Sequence, residues 1–357
     1  MTRTLPRSRR LILPVLVLAL VAAGCGSSGK SHSSKPSAPK LAAATLNSSG
    51  ATFPQAFYQE AIKNFAGEQP AVTINYGGGG SGKGQTDLQG QLVDFAGSDA
   101  LPKPEDLAKY KGGALLYFPT VAAPITLSYN LSGVGNLQLS AATIAKVFAG
   151  QITKWDDPAI KAENSGASLP STAITTVHRS DASGTTANFT KYLVAAAGSA
   201  WTLGSDKSVN WPGGQAGNGN GGVAQIVKST PGTIGYVDFS DAKAAGLSFA
   251  AIKNASGQYV EPSTESASQA LAGSTVNSDL SYNPLNAPGA KAYPITAPTW
   301  ILVYKNQTGK AKGEALKAFL EYVLAGGQTA AASVDFAKLP DSLQQRAKAQ
   351  LSQIVIP

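Results

Sequence analysis

Cysteine is all but absent from this chain of 357 residues: Cys25 stands alone, so no intrachain disulfide can form. Histidine is nearly as scarce. His32 and His178 are the only two, and without a Cys or His cluster a metal site has no support. Charged side chains make up only 14% against 43% hydrophobic, and the 38 glycines and 21 prolines fall short of low-complexity enrichment, so a wholly disordered or fibrous chain is excluded. The apolar run Leu11–Ala23 has 13 residues, too few to span a bilayer comfortably. Acidic residues are missing altogether from residues 1–40, which hold seven Lys or Arg. Those seven account for nearly all of the +8 net charge, since the remainder carries 22 basic against 21 acidic side chains. A nearly neutral body removes the main electrostatic support for nucleic-acid binding.

What is present at the N-terminus is a basic stretch from Arg3 to Arg10, the short apolar run, then Ala22-Ala23-Gly24-Cys25. Residues 1–24 read as an export signal, and small residues directly before the cysteine resemble a bacterial lipobox. In that reading Cys25 becomes the lipidated N-terminus, carrying acyl chains such as palmitate, on the outer face of the cell membrane. Residues 25–45, rich in Ser, Gly, Pro and Lys, follow as a flexible tether.

From Leu46 onward, strand-like and helical patterns alternate, which predicts an α/β architecture. Strands are expected at 72–76, 114–118, 125–129, 174–178, 233–237 and 300–304. Helices fit 54–66, 141–149, 185–197, 313–324 and 342–351, and the Gly-rich stretch Trp211–Gly222 reads as a loop. Three segments place hydroxyl or glycine residues at the mouth of a helix: Ser49-Gly50-Ala51-Thr52-Phe53-Pro54, Gly77-Gly78-Gly79-Gly80-Ser81-Gly82 and Asp181-Ala182-Ser183-Gly184-Thr185-Thr186. Converging helix N-termini offer free N–H groups and partial positive charge, enough to bind a small anion without lysines. Each segment alone is weak evidence, since Ser and Thr cap helices routinely and Gly permits turns. Gly77–Lys83 fits the first seven positions of a nucleotide P-loop, but Gly84 stands where Ser or Thr would hold Mg²⁺. A Ser183 nucleophile with His178 as base lacks any spacing that would guarantee a hydrogen bond, so enzyme chemistry is weakly supported.

Taken together, Gly50-Ala51-Thr52-Phe53-Pro54, Ser81-Gly82, Asp94-Phe95-Ala96-Gly97-Ser98-Asp99, Phe118-Pro119-Thr120-Val121, Lys154-Trp155-Asp156-Asp157, Arg179-Ser180-Asp181-Ala182-Ser183-Gly184-Thr185, Gly235-Tyr236-Val237 and Leu339-Pro340-Asp341-Ser342 occur in order. In this the chain resembles the phosphate-binding proteins (PstS) of the bacterial ABC-type phosphate uptake system. The resemblance implies the type II periplasmic-binding-protein fold: lobe 1 at 46–122 plus 292–357, lobe 2 at 123–291, and the ligand in the interlobe cleft. It further implies that Thr52, Phe53, Ser81, Asp99, Arg179, Ser183, Gly184 and Thr185 bind phosphate, with Asp181 pairing Arg179. It implies no catalytic residue, no cofactor and no metal, and a monomer whose partners are inorganic phosphate, the permease and its ATPase subunit.

The physical reading agrees with that expectation. One Arg and two Asp do not make a positive hole, so hydrogen bonds must carry recognition. Asp99 can accept the proton that phosphate keeps at neutral pH, whereas sulfate has none to give. Three rivals stay open on the residues alone: a receptor for sulfate or molybdate, an exported phosphatase using Ser183, and a surface adhesin that keeps the fold without the ligand.

Overall fold

The computed structural model describes residues 40–357, so the export signal, Cys25 and most of the tether lie outside the described residues. In chain order the elements are β1 (Ala44–Gly50), α1 (Gln55–Glu68), β2 (Val72–Gly77), α2 (Ser81–Gln89), β3 (Phe95–Ser98), β4 (Leu115–Tyr129), β5 (Gln138–Leu139), α3 (Ala141–Phe148) and α4 (Pro158–Glu163). There follow β6 (Thr175–Arg179), α5 (Gly184–Ala196), β7 (Gln215–Gly217), α6 (Gly219–Ser229), β8 (Thr233–Asp238), α7 (Phe239–Ala244), β9 (Ser248–Phe249), β10 (Ala251–Lys253), β11 (Tyr259–Val260) and α8 (Thr264–Ala272). The chain closes with β12 (Thr296–Tyr304), α9 (Lys310–Val323), α10 (Gly326–Ala330), β13 (Ala337–Lys338) and α11 (Asp341–Gln350).

One ten-stranded sheet runs β2-β1-β3-β12-β4-β8-β6-β7, with β13 and β9 also paired to β4. β1 lies parallel to β2 and β3, and β6 lies parallel to β7 and β8, as strands joined by helical crossovers must. The middle is antiparallel. β4 is the element that joins the two sides: residues 115–124 pair with β12, and residues 125–129 pair with β8. Nearly every β4 residue is buried, which explains a run of apolar residues without alternation. Pro119, Pro124 and Pro298 have no N–H to give to a ladder, and they cluster where β4 changes partner and the β4–β12 register shifts.

The sequence expectation split β4 into two strands around this proline segment; the backbone stays extended through it. Ala44 and Thr45, assigned to the tether, pair with Val72 and Thr73 as the start of β1. The stretch read as a loop, Trp211–Gly222, contains β7 and the first turn of α6, because Gly219 at φ +67° reverses the chain directly into the helix.

Helix α1 buries Phe57, Tyr58, Ala61 and Phe65, and these rings meet Phe336 and Phe319 from the C-terminal segment. Burial on that scale contributes about 1.5–3 kcal/mol per large side chain. It fixes where the first turn of α1 stands. α5 is held in the same way, with Phe189 stacked on Tyr236 and edge-on to Phe148.

Candidate functional site

Three helix N-termini converge. The β1–α1 turn carries Thr52 and Phe53, the latter with its ring buried edge-on to Phe336. α2 begins at Ser81, after Gly79 and Gly80, both at positive φ, where a side chain would be strained. α5 begins at Gly184, capped by Ser183, whose Oγ accepts the Thr186 N–H at 3.1 Å.

The α2 and α5 mouths are in contact. Gly82 N–H donates to the Ala182 carbonyl at 2.8 Å. A Cβ on Gly184 would collide with Ser81 Oγ and come within 2.7 Å of Asp99 Cβ, so only glycine permits this approach. The α1 mouth joins through Asn220 at the start of α6: its backbone N–H and Nδ2 each donate to Thr52 Oγ1 at 3.2 Å, and Nδ2 also donates to Thr185 Oγ1 at 3.1 Å. The structure thus brings Ser81, Asp99, Arg179, Ser183, Gly184 and Thr185 into one buried cluster, with half-buried Thr52 at its edge and Phe53 on the adjoining turn.

Charge within the cluster is nearly balanced. Arg179, at the end of β6, grips Asp181 with two hydrogen bonds, Nε to Oδ1 at 2.7 Å and Nη2 to Oδ2 at 2.5 Å. Its Nη1 is left to reach Thr185 Oγ1 at 3.3 Å. Burial raises the Asp181 carboxyl, but the Arg179 hydrogen bonds, its charge and the Gly219 N–H outweigh that and hold it below the ordinary carboxylate value.

Asp99 has no such clamp. It sits just past β3, 2% exposed, with Thr299 Oγ1 donating to Oδ1 at 2.7 Å and Ser81 Oγ 3.4 Å from Oδ2. Burial pushes its carboxyl up to about 7, against the opposing pull of the Thr299 hydrogen bond, the Arg179 charge and Ser81. A carboxyl balanced near neutrality beside three helix N-termini can both accept and hold a proton.

Sequence reasoning missed four contributors. Thr299 lies just ahead of the strand expected at 300–304, and Asn220 and Gly219 lie in the stretch read as a loop. Asn188 lies inside α5, where its Nδ2 ties the Asp99 carbonyl (2.7 Å) to Gly184 O (3.0 Å). The Ser183–His178 pair that the sequence supports only weakly does not form: Ser183 Oγ caps α5, and His178 stacks on Trp211 with Nδ1 against its neighbour's carbonyl. The P-loop reading fails structurally as well. A Cβ on Gly84 would come within 2.6 Å of Gly50 Cα, and Lys83 is paired with Asp87 at 2.6 Å. Among the described residues no group of three or more His, Cys, Asp or Glu is placed to hold a metal ion.

Residues 35–326 match the model of the PBP superfamily domain. The phosphate-binding protein PstS of Pasteurella multocida is 37% identical over 314 residues, covering 86% of this chain and 90% of that protein. The PstS of Methanocaldococcus jannaschii is 39% identical over 343 residues, covering 89% and 86%. The chain belongs to the PstS family of phosphate-binding proteins. Solved structures agree on the fold of this family. A high-affinity periplasmic phosphate-binding protein with phosphate bound superposes with a TM-score of 0.71 at 22% identity, covering 86% of this chain and 94% of its own. The phosphate-binding protein of Stenotrophomonas maltophilia gives 0.68 at 21%, covering 86% and 94%. The type II periplasmic-binding-protein fold follows, with its mixed sheet curled through β4.

Proposed function

We propose that this PstS family member is a lipid-anchored extracytoplasmic receptor that captures inorganic phosphate and hands it to an ABC permease driven by its ATPase subunit. The observation that carries the phosphate reading is Asp99: a buried carboxylate, free of any cationic clamp, beside helix N-termini otherwise suited to a fully ionised anion. An acceptor there suits an anion that brings a proton, and it repels one that does not. Ser81, Ser183, Gly184, Thr185, Thr52 and the Phe53 N–H supply donors, and Arg179, already neutralised by Asp181, supplies direction rather than net charge.

In this reading the segments 46–122 plus 292–357 and 123–291 are lobes that open and shut about the β4 and β12 strands. No bond is made or broken. Closure brings the Thr52, Ser81 and Asp99 side of the anion's shell onto the Arg179, Ser183 and Thr185 side, so phosphate favours the shut state. Cys25 would carry the acyl chains, residues 25–45 would give the receptor reach, and the receptor would act as a monomer. The interlobe bonds Gly82–Ala182 and Asn220–Thr52 support a shut form.

Titration calorimetry with phosphate, arsenate and sulfate, on protein freed of bound anion, tests the proposal. Phosphate and arsenate should bind one per chain, and sulfate should not compete. Equal affinity for sulfate would defeat it.

A further inference from the structure

Thr185 is buried and Thr52 half-buried, and the neighbours of each hydroxyl fix which way its proton points. A threonine hydroxyl has one proton to donate and two lone pairs with which to accept. Thr52 Oγ1 accepts from both the backbone N–H and the Nδ2 of Asn220, each at 3.2 Å. Thr185 Oγ1 accepts from Asn220 Nδ2 at 3.1 Å and from Arg179 Nη1 at 3.3 Å. Both oxygens are therefore full as acceptors.

Asn220 itself has no freedom to turn over. Its Oδ1 takes the Asp238 backbone N–H at 3.2 Å, which assigns the amide and commits both Nδ2 protons, one to each threonine. Asn220 is fully buried, and Gly219 ahead of it is tied to Asp181 through its N–H at 3.1 Å. One side chain thus fills a lone pair on each of two hydroxyls that come from different segments.

We infer that Asn220 is a positioning residue for anion binding: by donating to both threonines it turns the two O–H protons toward the ligand, so both hydroxyls are donors before phosphate arrives. This rests on the phosphate reading above and adds a cause for its rejection of misplaced ligands. A hydroxyl held as donor cannot turn to accept from a protonated oxygen, so the phosphate proton is directed to Asp99 and nowhere else on this side.

Double-mutant cycles test this, because a residue that acts through another loses its effect when the other is removed. Phosphate affinity is measured by calorimetry for the wild type, Asn220→Ala, Thr52→Val, Thr185→Val and the two double variants. Asn220→Ala should weaken binding about tenfold, and that factor should shrink about threefold or more in each threonine variant. Thermal melting of each variant checks folding; if Asn220→Ala does not fold, Asn220→Ser runs the same cycles. Additive losses in both cycles would overturn the inference, since a purely structural role or direct contact with the anion would give them. A wild type that binds no phosphate would overturn the phosphate reading itself. Phosphate binding with additive cycles would overturn only the role of Asn220.

Discussion

Replacing Asp99 with Asn should convert a phosphate-selective site into one that admits sulfate. Thr299 donates to Oδ1, so an amide would place its own oxygen there and turn Nδ2 to the position of Oδ2, beside Ser81 and Gly184. The change removes one negative charge and adds one donor. Two like charges about 4 Å apart at an effective dielectric near 20 repel by about 4 kcal/mol, close to three factors of ten in affinity. Sulfate should therefore gain roughly 10³-fold. Phosphate loses an acceptor for its proton as it sheds the same repulsion, so its affinity should stay within about tenfold of wild type. Calorimetry at about pH 8, above the Asp99 value of about 7, keeps the wild-type carboxylate ionised. An unchanged phosphate-to-sulfate ratio would refute the assignment of Asp99 as the reader of the ligand's proton.

Other outcomes follow from the same geometry. Because burial lifts Asp99 to about 7 from an unfolded value near 4, its contribution to stability is full below about pH 4 and is lost as pH rises through about 7. Urea denaturation of anion-free protein should show that loss across pH 4–7 in the wild type relative to Asp99→Asn, and parallel curves would contradict it. Gly184→Ala would drive a Cβ into Ser81 and Asp99, so it should cost phosphate affinity about a hundredfold or more while leaving the fold intact; wild-type affinity would mean the two mouths do not meet around the ligand. Cys25→Ser should release the protein from the membrane fraction without changing phosphate affinity, and equal retention would end the anchoring proposal.

Much of this site was legible because its chemistry is local. Thr52, Ser81 and Ser183–Thr185 each announce a helix mouth within a few residues, and Arg179 and Asp181 lie two apart, close enough to pair within one turn. Asp99 was reached only through the family resemblance, since a carboxylate just past Gly97-Ser98 is by itself an ordinary turn or capping residue. What escaped was set by packing between distant segments. Thr299 reaches Asp99 across 200 positions and Asn220 reaches Thr52 across 168, and nothing near either residue marks the partner. β4 was divided for a related reason: two prolines look like breaks locally, yet pairing with β12 and β8 on either side keeps the strand extended. The α6 start was lost among glycines: Asn218 stands at the N-cap but makes no side-chain capping bond, and a positive φ at Gly219 turns the chain into the helix.

The central claim is that one phosphate sits among these helix mouths with a protonated oxygen against Asp99. A crystal structure of the protein grown with phosphate tests it most directly. The account predicts a single anion within hydrogen-bond distance of Ser81, Arg179, Ser183 and the Thr52 and Thr185 hydroxyls, with one oxygen on an Asp99 carboxylate oxygen. An anion bound elsewhere, such as the neighbouring cavity of about 610 Å³ lined by Lys103, Lys191 and Lys207, or one that leaves Asp99 untouched, would contradict it.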